Sequence, residues 1–188
     1  MLPSADCTVS DAVCCVSLYD IADHILTGVW TSLLACYEPL PVVGYQLLAY
    51  VTMGDGDDGI VDALQVSVGN VLPSPGSQKT GQLTPVAAFD AIFRVRLVES
   101  GWPMVHEDNG QIFQPESAQQ NALARHSYAH GERMYRKLAA MTAAGDLTPP
   151  SVTGCSKGVL SALVPIPPQG GVVGWSTTVT MTLPWGWN

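Results

Sequence analysis

Basic residues are scarce in this chain: 8 Lys and Arg stand against 16 Asp and Glu, a formal net charge of -8. A nucleic-acid reader carries a basic patch or stripe, and only Arg133, Arg136 and Lys137 cluster here. Those three fall in a helical pattern and read as its solvated face. Charge of either sign is sparse too, 13% of residues against the ~25% usual for a soluble domain. Much of the surface is therefore neutral, which suits burial against other subunits. The five cysteines (Cys7, Cys14, Cys15, Cys36, Cys155) form an odd set with no CxxC spacing, and adjacent Cys14 and Cys15 are poorly placed to face one zinc ion. They read as small buried hydrophobes in a reducing compartment. With no run of 18 apolar residues, and no basic segment leading into an apolar one, neither a membrane span nor a signal peptide is expected.

The motifs of common chemistries are missing as well. Gly54 to Gly59 lacks the Lys-Ser/Thr pair that would hold a triphosphate, Ser156-Lys157 is not a Ser-x-x-Lys pair, and no Gly-x-Ser-x-Gly elbow occurs. Gly54-Asp55-Gly56-Asp57-Asp58-Gly59 is acidic, but a calcium loop counted from Asp55 would need glycine where Ile60 stands and glutamate where Val66 stands. It reads as a turn. His126 and His130 are four residues apart and could chelate a metal given a third ligand. His-Ser-Tyr-Ala-His lacks the glutamate of HExxH, however, and the pair reads as a polar helix face. His24, between Ile21 and Ile25, reads as an edge or interface residue. No catalytic residue, cofactor or metal is expected.

What is present is a clear sequence of elements. Residues 1–16 have no stable period and read as an N-terminal arm. Leu18, Ile21, Ala22, Ile25, Leu26, Val29, Leu33 and Leu34 recur at helical steps, with Ser17 as N-cap, Asp20 completing a weak capping box, and Pro39 and Pro41 closing the segment. Gly44 to Met53 and Ala63 to Val71 read as strands, followed by a proline-rich loop from Pro73 to Pro85, a long connection of the kind ordered by a partner. Ala87 to Ser100 is the strongest central strand: Phe89, Ala91, Phe93, Val95 and Leu97 share a face, and Asp90, Arg94 and Arg96 the other. Arg94 and Arg96 suit solvation or an ion pair with a neighbouring subunit. Trp102, in Gly101-Trp102-Pro103, suits a contact anchor.

Pro115-Glu116 opens a second helix whose apolar face is read as Ala118, Ala122, Leu123, Ala129, Met134, Leu138 and Met141, ending near Gly145, with Gly131 marking a bend or a close contact. Gly158 to Val164 is a short strand, and Pro165 to Gly171 the loop of a terminal hairpin. The last strand alternates strictly, Trp175, Thr177, Val179, Met181 and Leu183 against Ser176, Thr178, Thr180 and Thr182. Residues 184–188 place Trp185 and Trp187 in an aromatic tail, where two exposed indoles would call for a partner.

This order, with Phe93-Arg94-Val95-Arg96-Leu97 leading into Gly101-Trp102-Pro103 and with Gly170-Gly171-Val172-Val173-Gly174-Trp175 introducing the last strand, resembles the tail-terminator and neck (head–tail connector) proteins of long-tailed actinobacterial phages. The resemblance covers about residues 17–183 in element order. It implies a single α+β domain over residues 17–183, with a mixed or antiparallel sheet of about five strands and two long helices packed on one face.

It further implies a structural virion protein, not an enzyme, made in the host cytoplasm and placed in the neck. Such a protein forms a homo-oligomeric, hexameric ring that caps the tail tube protein, stops its polymerisation and docks the head connector or stopper protein. Genomic DNA would pass through the channel without specific binding, consistent with the negative net charge. Arg94, Arg96, Trp102, Trp175, Trp185 and Trp187 are the candidate interface residues. The alternatives are a head-proximal stopper or adaptor of the same neck and, from another class, a small soluble enzyme.

Overall fold

In the computed structural model the described residues are 17–35, 47–53, 62–74, 88–100, 105–106, 112–113, 117–150, 152, 158–169 and 172–184. The cysteines, the Asp-Gly segment and most of the Pro73 to Pro85 segment lie outside them, as do the N-terminal arm, Trp102, Trp185 and Trp187.

The first helix, α1, spans Leu18–Leu34. Its start is fixed where the sequence puts it: the Ser17 hydroxyl accepts a hydrogen bond from the Asp20 amide at 3.2 Å, satisfying one of the donors that a helix N-terminus leaves over. Ile21, Ala22, Ile25, Leu26, Val29 and Leu33 are buried as expected, whereas Leu34 faces solvent. The second helix, α2, spans Ser117–Ala144 and ends at Gly145, whose φ of 74° is the left-handed turn that glycine enters without steric cost.

The strands are β1 (Leu48–Met53), β2 (Ala63–Pro73), β3 (Ala88–Ser100), β4 (Val105–His106), β5 (Ile112–Phe113), β6 (Val159–Leu160), β7 (Val164–Gln169) and β8 (Val172–Pro184). Six of them form one mixed sheet in the order β1-β2-β3-β8-β6, with β7 also paired to β8. β1 runs parallel to β2 and the other pairings are antiparallel. The β4–β5 pair is a separate two-stranded ribbon not foreseen from the sequence.

The segment expected as a loop, Pro165 to Gly171, begins as strand instead: β7 runs alongside the first half of β8, while β6 pairs with Val179 and Thr180 farther along. Prolines survive in β7 because it lies at the sheet's edge, where an absent N–H breaks no second ladder. Ser161, between the two short strands, keeps the edge attached: its amide donates to the Thr178 carbonyl, and its Oγ accepts from the Thr178 amide, both at 2.9 Å.

Both helices cover one face of this sheet. α1 lies over β1 and β2, α2 over β8 and β6, and they meet where Gly28 leaves room for the Met141 thioether. The core between them joins Phe93, Val95 and Leu97 of β3 to Val179, Met181 and Leu183 of β8, and to Met134, Leu138 and Met141 of α2. The α+β architecture is the one expected.

The opposite face, which carries no helix among the described residues, has polar rows across four strands. Tyr50, Gln65, Arg96 and Ser176 form one row, and Thr52, Ser67, Arg94 and Thr178 the next. Gln65 and Ser67 are buried on it, and Gln65 donates to the Tyr50 hydroxyl at 2.5 Å. At the strand ends Asp62, with φ 60°, acts as a clasp. Its carboxylate accepts from the amide (2.8 Å) and the hydroxyl of Ser100, and its carbonyl accepts from the Leu48 amide at 2.8 Å, so one residue joins β1, β2 and β3.

Gly174 is paired with Val98, and a Cβ there would stand 2.1 Å from the Leu97 carbonyl oxygen. Backbone cannot swing aside as a side chain can. Gly174→Ala is expected to destabilise the domain by about 1–3 kcal/mol. Gly69→Ala, whose Cβ would meet only ordinary contact 3.5 Å from Ile92 O, should be neutral or stabilising. Chemical-denaturation midpoints of the two variants check this contrast.

Candidate functional site

The apolar stripe of α2 is Leu123, Met134, Leu138 and Met141, with Ser127 and His130 filling the turns between. Ala122, expected on that stripe, is exposed, and Ala129 is not buried either. The helix therefore faces the sheet about one position away from where its alanines suggest, and two polar side chains enter the interior. The expected polar face at His126 and His130 is corrected accordingly: His130 is 2% exposed and His126 half-buried. Alanine's small side chain tolerates either environment, so it misleads about a helix's facing; the 3–4 step through Leu123, Ser127, His130, Met134, Leu138 and Met141 does not.

Trp175 determines how closely α2 approaches. Its indole Nε1 donates to the Ser127 carbonyl (2.8 Å) and reaches the Ser127 hydroxyl (3.1 Å). Helix geometry assigns that same carbonyl to the amide of Gly131. A Cβ on Gly131 would lie 2.5–2.6 Å from three atoms of the indole, so glycine is what lets the ring reach the helix backbone. Tyr128, itself exposed, tilts across the outer side of the indole at a centroid distance of 4.9 Å. Of the two roles expected for Gly131, bend or close contact, the structure selects the close contact.

Beside this anchor lies the concentration of chemistry in the described residues. Continuing the β3 alternation past Leu97 puts Glu99 on the helix side of the sheet, where it is 1% exposed. His130 Nδ1 hydrogen-bonds Glu99 Oε1 at 2.6 Å. The His126 ring meets the His130 ring edge-on, with centroids 4.1 Å apart and planes at 69°. One donor atom from each of Glu99, His126 and His130 lies within 4.8 Å of the others. Among the described residues no hydrogen-bond donor reaches Glu99 Oε2, although that oxygen is sealed from solvent. A buried carboxyl with half of its acceptor capacity unmet is costly, which makes this cluster the candidate site.

Of the residues singled out from sequence as interface candidates, Trp175 lies beside the cluster and the described arginines fall elsewhere. Arg94 and Arg96 are half-buried on the opposite face of the sheet. Trp175 is 7% exposed and anchors the interior, so its surface within this chain is already spent on α2. Arg136 pairs with Glu132 at 2.6 Å on the exposed side of α2, and Arg133 and Lys137 line a shallow cleft between the helices, as expected of a solvated face. His24 holds an edge position, its Nε2 3.3 Å from the Asp146 carbonyl beyond the end of α2. Glu99 is the member of the cluster that sequence reasoning misses; its signal is an acid one step beyond the last aliphatic residue of an apolar strand face.

The Gly131–Trp175 contact predicts a reversal of sign. In a helix interior alanine is ordinarily better than glycine by ~1 kcal/mol. Here Gly131→Ala should destabilise by about 1–3 kcal/mol through overlap with the indole. With Trp175→Leu in the background the overlap is gone, and Gly131→Ala should become stabilising. A double-mutant cycle from denaturation curves measures the coupling.

Compared with known proteins, the chain matches no protein-family model and no curated protein.

Proposed function

We propose that this chain is a structural virion protein that forms a ring at the head–tail junction, caps the tail tube, stops its polymerisation and presents the docking surface for the head connector. The reading starts from the resemblance to tail terminators, with which a single α+β domain carrying both helices on one face of a mixed sheet is compatible.

The observation that carries the reading is the position of four of the exposed apolar residues, those on β2, β6 and β7. β1 pairs with β2 only as far as Val68, so the second half of β2 is an open edge among the described residues, and there Val71 and Leu72 are 36% and 55% exposed. At the other end of the sheet Val159 of β6 and Val164 of β7 are 68% and 55% exposed. An open apolar edge is a template for pairing with another chain. Two different patches at opposite ends of one sheet are what a heterologous, head-to-tail contact needs, and such contacts close into rings when the rotation permits. The sparse surface charge lowers the desolvation cost of those contacts.

One observation favours a reading of another class, a small enzyme: Glu99, His126 and His130 converge. Glu99 and His130 are buried, however, and only His126 of the three is half-exposed.

Light scattering and electron microscopy of the purified chain are expected to show rings, and adding it to growing tail tubes should halt their extension. Leu72→Asp and Val164→Asp should each give folded monomers with unchanged circular dichroism. Mixed together they should form dimers and no rings, since each retains one intact patch. A wild-type chain that stays monomeric at tens of micromolar and leaves tube growth unaffected would refute the proposal.

A further inference from the structure

We infer that Glu99, His126 and His130 form a binding site for a divalent transition-metal ion, zinc foremost, with three protein ligands and a fourth position for water. The inference stands independently of the ring reading.

Three features converge on it. First, the donor set is of the right kind. Two imidazoles and a carboxylate suit zinc and its first-row neighbours, whereas calcium and magnesium favour shells of six or more oxygens. Second, the scaffold is of the right kind. Histidines four apart project from one side of a helix, and the carboxylate comes from a strand that the core holds beneath it. The Trp175–Ser127 hydrogen bonds and the Gly131 contact fix the helix over the strand beside both histidines, so the ligands are carried by rigid elements.

Third, the buried carboxyl has an unmet acceptor. Glu99 is only 1% exposed, yet no donor among the described residues reaches Oε2. A cation bound at the cluster satisfies that oxygen and offsets the cost of burying the charge.

The spacing is compatible. Metal–ligand bonds of 2.0–2.2 Å in a tetrahedron set donors about 3.3–3.5 Å apart. One donor atom from each residue lies within 4.8 Å of the others, and the Glu99 carboxylate already reaches His130 Nδ1 through Oε1 at 2.6 Å. Changes of about 1 Å by side-chain torsion bring both distances to that value. Of the three residues only His126 is half-exposed, and its Nε2 is turned into the cluster, sealed from solvent.

The test uses the full chain, stripped with a chelator and titrated with Zn(II), and separately with Co(II) as a spectroscopic probe. The expected results are one Zn(II) per chain, a raised melting temperature, and Co(II) d–d bands of a low-coordinate nitrogen–oxygen site without thiolate charge transfer. That last feature excludes the five cysteines as the ligands. Glu99→Gln should abolish binding, but it alters a buried group. His126→Gln, at the half-buried member of the cluster, should weaken Zn(II) binding at least tenfold in a chain whose circular dichroism shows it folded. No Zn(II) uptake by the wild-type chain, thiolate charge transfer in the Co(II) spectrum, or a folded His126→Gln chain that binds as tightly as wild type would each overturn the inference.

Discussion

The contact between the Trp175 indole and the backbone of α2 at Gly131 is the constraint on which the rest of this structure depends. A helix packs on a sheet at a distance set by the side chains between them. Here a large ring and a missing Cβ are paired, so the ring fills the gap and the indole N–H reaches a main-chain carbonyl. Burying an indole donor without a partner would be costly. The hydrogen bond to Ser127 therefore favours one rotation of α2 about its axis, the rotation that turns His130 inward and brings His126 alongside it over Glu99.

The two faces of the sheet solve different problems. On the helix side Phe93, Val95, Leu97, Val179 and Met181 supply an apolar layer, and burial of such side chains contributes roughly 1.5–3 kcal/mol each. On the other side hydroxyls, Gln65 and two arginines form rows in register across four strands. Asp62 ties the starts of β1 and β2 to the end of β3, and Ser161 holds the β6–β7 edge to β8, with side-chain and main-chain hydrogen bonds where regular pairing stops. Val71 and Leu72, at the far end of β2 from Asp62, and Val159 and Val164, on the β6–β7 edge, are left exposed.

Much of the fold was legible because it rests on local periodicity. Alternation from Trp175 to Leu183 and from Phe89 to Leu97 marks strands with one apolar side, and the Ser17 cap and Gly145 mark helix ends by hydrogen bonding and backbone conformation. The failures share a cause. β7 was hidden by its prolines, whose tolerance depends on its lying at an edge, a fact of sheet order and not of the segment. The facing of α2 was blurred by alanines, which carry little preference for inside or outside. The histidine pair was visible, but its partner Glu99 lies 31 residues from His130 along the chain, and nothing local connects an acid at a strand end with a helix so far away.

The sequence by itself determined which segments become the long helices and strands, which side of each long strand is apolar, and that Gly131 has a special place in its helix. These follow from side-chain period and backbone freedom, which act over a few residues. Tertiary structure decided that the close neighbour of Gly131 is Trp175, that Asp62 joins three strand ends, and that Glu99, His126 and His130 share one corner beneath the helix. Such pairings depend on strand order and on the rotation of a helix about its own axis, both settled by packing between elements far apart in the chain.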